Sequence, residues 1–246
     1  MTRFKAFAIH LGISSCVAVA VIATMLFVWY PGPFFAAMGG NDLVMILVGV
    51  DVVLGPLITL IIFNVRKARH LLRLDFAIIG TLQLAALAYG ISVIAEVRPI
   101  YMVFTIDRFD LVAAADVKDV ELAKVARPEF KSVPWGRPRT IAVRTPSDPN
   151  EQFRIIQSAL AGADLQTFPQ YYVAYEELAA EALRRAKPID KLVKTFPAEM
   201  ESALRDAGRT AGEVRYLPLK ARVKDCSVLL DAKTGAVVAI VKVTPW

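Results

Sequence analysis

Histidine is nearly missing from this chain. Of its 246 residues only His10 and His70 are histidines, and residues 98–246 hold none. General-base, nucleophile-activating and zinc-binding schemes built on imidazole are thereby removed from the C-terminal part. Cysteine is equally scarce, with two in all. Cys16 sits in an apolar stretch near the N-terminus and Cys226 near the C-terminus, so a bridge between them is geometrically unfavourable, and neither has metal-ligand spacing. The G-x-S-x-G, H-E-x-x-H, Walker A and G-x-G-x-x-G patterns are all absent. The chain is therefore expected not to be an enzyme, with no catalytic residue, no metal and no cofactor.

A strong excess of one charge is also wanting where it would matter. The net charge is +6 and the isoelectric point about 9.4, but six of the 29 basic and four of the 23 acidic residues fall in the first 97 positions. The remainder, in 98–246, mixes both signs, which describes a solvated surface and not a nucleic-acid footprint. No nucleic-acid partner is expected.

What the chain has in abundance is apolar sequence. A mean hydropathy of +0.48 with 56% hydrophobic residues exceeds what a soluble protein of this length carries. The excess is concentrated in three stretches, about 7–30, 43–63 and 75–97, each long enough to cross a hydrocarbon core as a helix. The first is too long for a signal-peptide core and lacks a small-residue cleavage site, so it is expected to stay as an anchor. Trp29 and Tyr30 suit the membrane interface. Arg3 and Lys5 precede the first span, and Arg66, Lys67, Arg69 and Arg73 lie between the second and third. Residues 31–42 contain no Lys or Arg. The positive-inside rule then puts the N-terminus in the cytoplasm and everything after residue 97 outside, which is the periplasm in a Gram-negative bacterium. The expected division is a three-helix transmembrane region over 1–97 and a periplasmic domain over 98–246.

Within the spans, Asp51 lies deep in the hydrocarbon, where an ionisable group needs a partner or a proton. Pro56 deprives the Val52 carbonyl of its helical donor and bends the helix. Asp51, Gly55 and Thr59 share one face at i, i+4, i+8. The third span answers with Gln83 near mid-depth and with Ala86 and Gly90 in small-xxx-small spacing. Three explanations stand side by side. Asp51 hydrogen-bonds Gln83 or Tyr89 within the bundle, or the face formed by Asp51, Gly55, Pro56, Thr59, Gln83 and Gly90 docks a helix of another protein, or Asp51 serves proton or ion transport, which three spans without a second mid-membrane carboxylate suit least.

Residues 98–246 read as a small α+β domain with an antiparallel sheet. One strand is expected from 101–104 into 107–112 and a short one near 140–144, with helices near 116–126, 149–161, 175–186 and 197–207. Ser227–Leu230 and 236–243, joined by Asp231-Ala232-Lys233-Thr234-Gly235, read as a hairpin. Arg98, Asp107 and Arg108 are candidates for a salt-bridged collar next to the membrane. Tyr171, Tyr172 and Tyr175 fit either core packing or an exposed aromatic patch.

These residues resemble the type IV pilin accessory proteins of the TfpX/TfpZ type. The resemblance is carried by Asp51-Val52-Val53-Leu54-Gly55-Pro56-Leu57-Ile58-Thr59-Leu60, by Asp75 through Gln83 to Tyr89-Gly90, by Arg98-Pro99-Ile100-Tyr101, by Asp107-Arg108-Phe109 and by the terminal Pro245-Trp246. It extends over the whole chain and is strongest over 43–112. It implies a non-enzymatic inner-membrane accessory factor or chaperone that supports the stability and assembly of a type IV pilin. The implied partners are the lipid bilayer and the major pilin, through its transmembrane helix and its periplasmic head. The oligomeric state is left open. The rival readings are a membrane-anchored periplasmic sensor and an enzyme that modifies the pilin.

Overall fold

The computed structural model describes residues 2–63 and 68–246, so Arg66 and Lys67 of the basic loop lie outside the described residues. The chain divides into two compact units. One comprises Met1–Val28 and Gly40–Glu96, the other Trp29–Gly39 and Val97–Trp246.

The first unit is helical. α1 (Arg3–Thr24) is capped by the Thr2 hydroxyl, which accepts from Lys5 N, and runs on as a π-helical turn over Met25–Trp29. α2 (Phe34–Ala37) is a single turn in the segment that belongs to the second unit. α3 (Gly40–Leu47), a π-helical stretch Val48–Leu54 and α4 (Gly55–Ile62) follow one another without a break, and α5 (Arg69–Glu96) completes the set. Three continuous helices result, Arg3–Trp29, Gly40–Ile62 and His70–Glu96, each long and apolar enough to cross a membrane. They begin a few residues before the apolar windows, because polar residues continue a helix that hydropathy alone does not register.

The π-helical stretch has a local cause. Pro56 has no N–H to offer the carbonyl of Val52, and the turn ahead of it widens so that Gly55 N reaches back five residues to Val50 O. The wider turn leaves Asp51, Gly55, Pro56 and Thr59 all buried within the unit. Large apolar side chains such as Val19, Met45, Ile61 and Leu82 point outward. This arrangement suits a bundle in lipid, where small and polar groups make the helix contacts.

The second unit is built on one mixed sheet. β1 (Pro99–Phe104) and β2 (Phe109–Ala113) form a tight hairpin that is buried along its whole length. After α6 (Asp119–Leu122) come β3 (Arg139–Val143), α7 (Pro149–Leu160), β4 (Tyr172–Ala174), α8 (Ala179–Arg185), β5 (Lys187–Pro188), α9 (Asp190–Thr195) and α10 (Pro197–Asp206). β6 (Val214–Lys220), β7 (Cys226–Asp231) and β8 (Val237–Val241) close the chain. Asp148 caps α7 by accepting from Asn150 N. The strand order is β4-β3-β1-β2-β6-β7-β8, with β5 added beside β6.

The expectation of an antiparallel sheet is corrected by this order. β1 pairs with β3, and β2 with β6, in parallel. Parallel neighbours need a long crossover, and the partners here are separated by residues 105–138 and 114–213. Short hairpins leave a local turn signature, whereas pairings over such distances leave none. The helix expected over 116–126 shrinks to α6 and a 3₁₀ turn at Ala114–Asp116.

Two apolar clusters form the core. One joins Ile100, Tyr101, Val112, Phe130, Ile141 and Tyr172, and the other packs α9 and α10 on β6, β7 and β8 through Leu192, Met200, Tyr216, Leu229 and Val241. Tyr172 and Tyr175 are buried and donate to Gln166 O and Gly235 O at 2.5 and 2.6 Å, which settles those two tyrosines as core residues. Residues 29–39 dock on the same unit, where Ala37 O accepts from Val223 N at 2.9 Å.

Asp231 organises the β7–β8 turn, accepting from Lys233 N, Thr234 N and the Thr234 hydroxyl and pairing with Arg209 at 3.1 Å. The amides of Thr234 and Lys233 hold its carboxyl below the usual range. A depressed carboxylate contributes stability above its unfolded pKa of about 3.9 and loses it as pH falls through the lower folded value. Asp231→Asn is therefore expected to melt below the parent protein at neutral pH, with the gap closing below about pH 4. Melting curves across that pH range check it, and a gap that persists in acid would refute the assignment.

Candidate functional site

A cavity of about 350 Å³ lies inside the helical unit between α1 and α5, with the second span forming its floor. His10, Ser14, Asp51, Thr59 and Gln83 contribute the polar groups, and Phe76, Ile79 and other apolar side chains the rest. Asp51 and Gln83 are the central residues of the helices Gly40–Ile62 and His70–Glu96, so both sit halfway along their spans.

The polar groups are joined only in part. Gln83 Nε2 donates to the main-chain carbonyl of Asp51 at 2.9 Å and to Ser14 Oγ at 3.3 Å, tying α5 to both other spans. His10 Nδ1 and Thr59 Oγ1 are 2.6 Å apart. Two buried acceptors, Asp51 Oδ1 and Gln83 Oε1, have no hydrogen-bond partner among the described residues. Asp51 is only 5% exposed, and hydrocarbon offers it nothing. An amide oxygen and an ionised carboxylate oxygen both accept, so in that state the group that completes them is a donor: a hydroxyl, an amide N–H or an ammonium.

Of the residues singled out in the sequence, Asp51, Thr59 and Gln83 line this cavity. Gly55 makes room for the Gln83 amide, since a Cβ there would meet its nitrogen and carbon. Pro56 is buried beside it and sets the wide turn. Gly90 is looser: a Cβ would touch only Leu47, at 3.9 Å. Tyr89 is 73% exposed. Gln83 thus ties to Asp51 through the main chain and leaves the carboxylate open. His10 and Ser14 were not grouped with Asp51 in the sequence, although their i, i+4 spacing on an otherwise apolar helix is a readable signal.

Arg98, Asp107 and Arg108 do not form one cluster. Arg98 precedes β1, whereas Asp107 and Arg108 lie in the turn at the opposite end of the β1–β2 hairpin. The Arg98 guanidinium stacks on Trp135 at 4.2 Å and Trp29 at 5.9 Å and donates to Pro134 O at 3.1 Å. Burial pushes its pKa down. Trp29 Nε1 donates to Trp135 O at 3.1 Å, closing an aromatic clasp that the sequence did not reveal. Arg108 instead pairs with Asp110 at 3.1 Å and lies 3.8 Å from Asp164. Asp110 is so buried that desolvation raises its pKa despite Arg108.

Comparison with known proteins adds to this geometry. Two fimbrial assembly proteins of Dichelobacter nodosus, of serogroups E1 and I, are each 32% identical to the chain over 237 residues, covering 94% of it and 92% of the relative. The chain belongs to the fimbrial assembly protein family. The family model described as "Fimbrial assembly protein FimB" matches residues 1–39, which include His10, Ser14 and Trp29. A fimbrial assembly protein of serogroups C1 and C2 from the same organism is 36% identical over 109 residues, or 44% of this chain and 83% of its own length. No solved structure matches. Membership of this family bears out the resemblance to type IV pilin accessory proteins.

Proposed function

We propose that this protein is a non-enzymatic accessory factor of the bacterial inner membrane that supports the stability and assembly of a type IV pilin. It docks the transmembrane helix of the major pilin in the cavity between α1 and α5, while the domain after residue 97 meets the pilin head in the periplasm. The observation that carries the reading is a cavity at mid-span lined by Asp51 and Gln83, whose buried Oδ1 and Oε1 atoms have no partner among the described residues. A buried polar atom without a partner costs free energy in hydrocarbon that a donor on an incoming helix recovers. The names of the relatives support a place in pilus assembly. The basic residues at positions 3, 5, 69 and 73 support a cytoplasmic N-terminus and a periplasmic C-terminal domain.

The test is a deletion of the gene in its native host, complemented by a chain carrying a photo-crosslinker at Ile13, which is exposed and lines the cavity. Pili and pilin are expected to fall in the deletion, and the probe to capture the pilin helix. Asp51→Ala is expected to accumulate normally yet lower capture and piliation by up to about tenfold, the weight of one hydrogen bond. Asp51→Asn, which keeps an acceptor, should stay close to the parent protein. Normal pili in the deletion would sink the proposal, as would an Asp51→Ala chain that simply disappears.

A further inference from the structure

The far edge of the sheet is open. β8 closes the strand order, and among the described residues β7 is the only strand that pairs with it. Open edges invite pairing with other chains, and proteins ordinarily blunt them with proline, inward charge or a covering segment. Here the edge strand reads Val237-Val238-Ala239-Ile240-Val241, with a single charge, Lys242, just beyond it.

A groove of about 830 Å³ runs along this edge. One wall consists of five successive residues, Val238 to Lys242. Successive side chains of a strand point to opposite faces, so all five border one groove only if it follows the main-chain rim. The other wall is α10, which presents Ala198, Ser202 and Asp206 at i, i+4, i+8. Their small side chains leave the channel wide. A groove between a helix and an unpaired strand edge is the setting for β-strand addition, in which main-chain hydrogen bonds supply affinity and flanking pockets supply selectivity.

We propose that this groove receives an extended strand of the pilin head, which joins the sheet as a further strand beside β8. For the identity of the partner this rests on the assembly reading above. The chemistry of the occupant follows from the walls. The unpaired rim calls for a polypeptide main chain. Glu199 and Asp206 on the α10 side favour a basic residue on the incoming strand, with small side chains facing Ala198 and Ser202. A second copy of this chain fits poorly, because its own α10 borders the same rim and would compete for the space that the partner strand needs.

The test uses the full chain in lipid nanodiscs with the soluble head of the host's major pilin as the probe. Hydrogen exchange of the β8 amides is expected to slow by about tenfold or more when the head is added. Ser202→Trp, which fills the channel from a partly exposed helix position, is expected to abolish that protection and weaken head binding by about tenfold. Its melting temperature and its exchange elsewhere should match the parent chain, and Ala198→Trp provides an independent second block. The inference is overturned if the head binds without altering β8 exchange, or if β8 is protected by raising the concentration of this chain alone. If β8 stays unprotected while the Ile13 crosslink to the pilin helix persists, only the groove assignment fails. Loss of both removes the assembly reading as well.

Discussion

Replacing Gly235 with alanine is expected to cost the C-terminal unit about 3 kcal/mol and to lower its melting temperature by about 10 °C. Gly235 ends the β7–β8 turn at a φ of +72°, a left-handed conformation that a Cβ disfavours. Space is short as well. The added carbon would collide with the main-chain oxygen of Ala179 and lie 2.9 Å from its carbonyl carbon and 3.3 Å from Leu183 Cβ, so α8 would have to withdraw. Backbone yields less readily than the tip of a side chain. Gly235 O also accepts from the buried Tyr175 hydroxyl at 2.6 Å, and any shift of the turn strands that donor. Melting or pulse proteolysis of the purified protein measures the effect. A loss below about 1 kcal/mol would mean that α8 moves aside freely, contrary to the packing described.

The second large effect is expected at Gly55, and its logic differs. A Cβ there also meets a neighbour, but the neighbour is the amide at the free end of Gln83. The helices can therefore stay together while the amide swings away, giving up its bonds to Asp51 O and Ser14 Oγ. Gly55→Ala should then resemble Gln83→Ala, each costing about 1–2 kcal/mol of bundle stability and lowering piliation by about tenfold. The double variant should be no worse than Gln83→Ala alone, because removing the amide relieves the collision. That non-additivity is the signature of two residues sharing one space. Unfolding in mixed micelles and pilus counts on the same strains supply the comparison. Additive losses would show that Gly55 serves something other than seating Gln83.

Both glycines illustrate what could be read in advance. Gly55 stood out in the sequence because it shares a face with Asp51 and Thr59, a local relation fixed by the helical repeat. Its partner across the bundle was recognisable only as another polar residue at similar depth. Gly235 stood out as the end of a turn, whereas its collision with Ala179, 56 positions earlier, was not legible. His10 was named in the sequence but not grouped with Asp51, because nothing along the chain records that packing brings it against Thr59. The Trp29, Arg98 and Trp135 clasp escaped for the same reason: three residues from distant segments meet only once the domain has formed.

By itself the sequence determined the features that depend on near neighbours. These are the three apolar spans, the buried carboxylate at the centre of the second, the proline that disturbs its helix, and the terminal hairpin. Periodicity and composition act over one or two turns, and apolar length marks a helix able to cross hydrocarbon. Tertiary structure alone decided that the sheet is mixed, that residues 29–39 join the second unit, that Asp51 and Gln83 line one cavity, and that β8 lies beside α10 with β7 as its one strand partner among the described residues. Each of these is a pairing over a long stretch of chain. Such contacts form only when the entropy of closing the intervening loop is repaid by burial, and no local pattern records which of the possible closures succeeds.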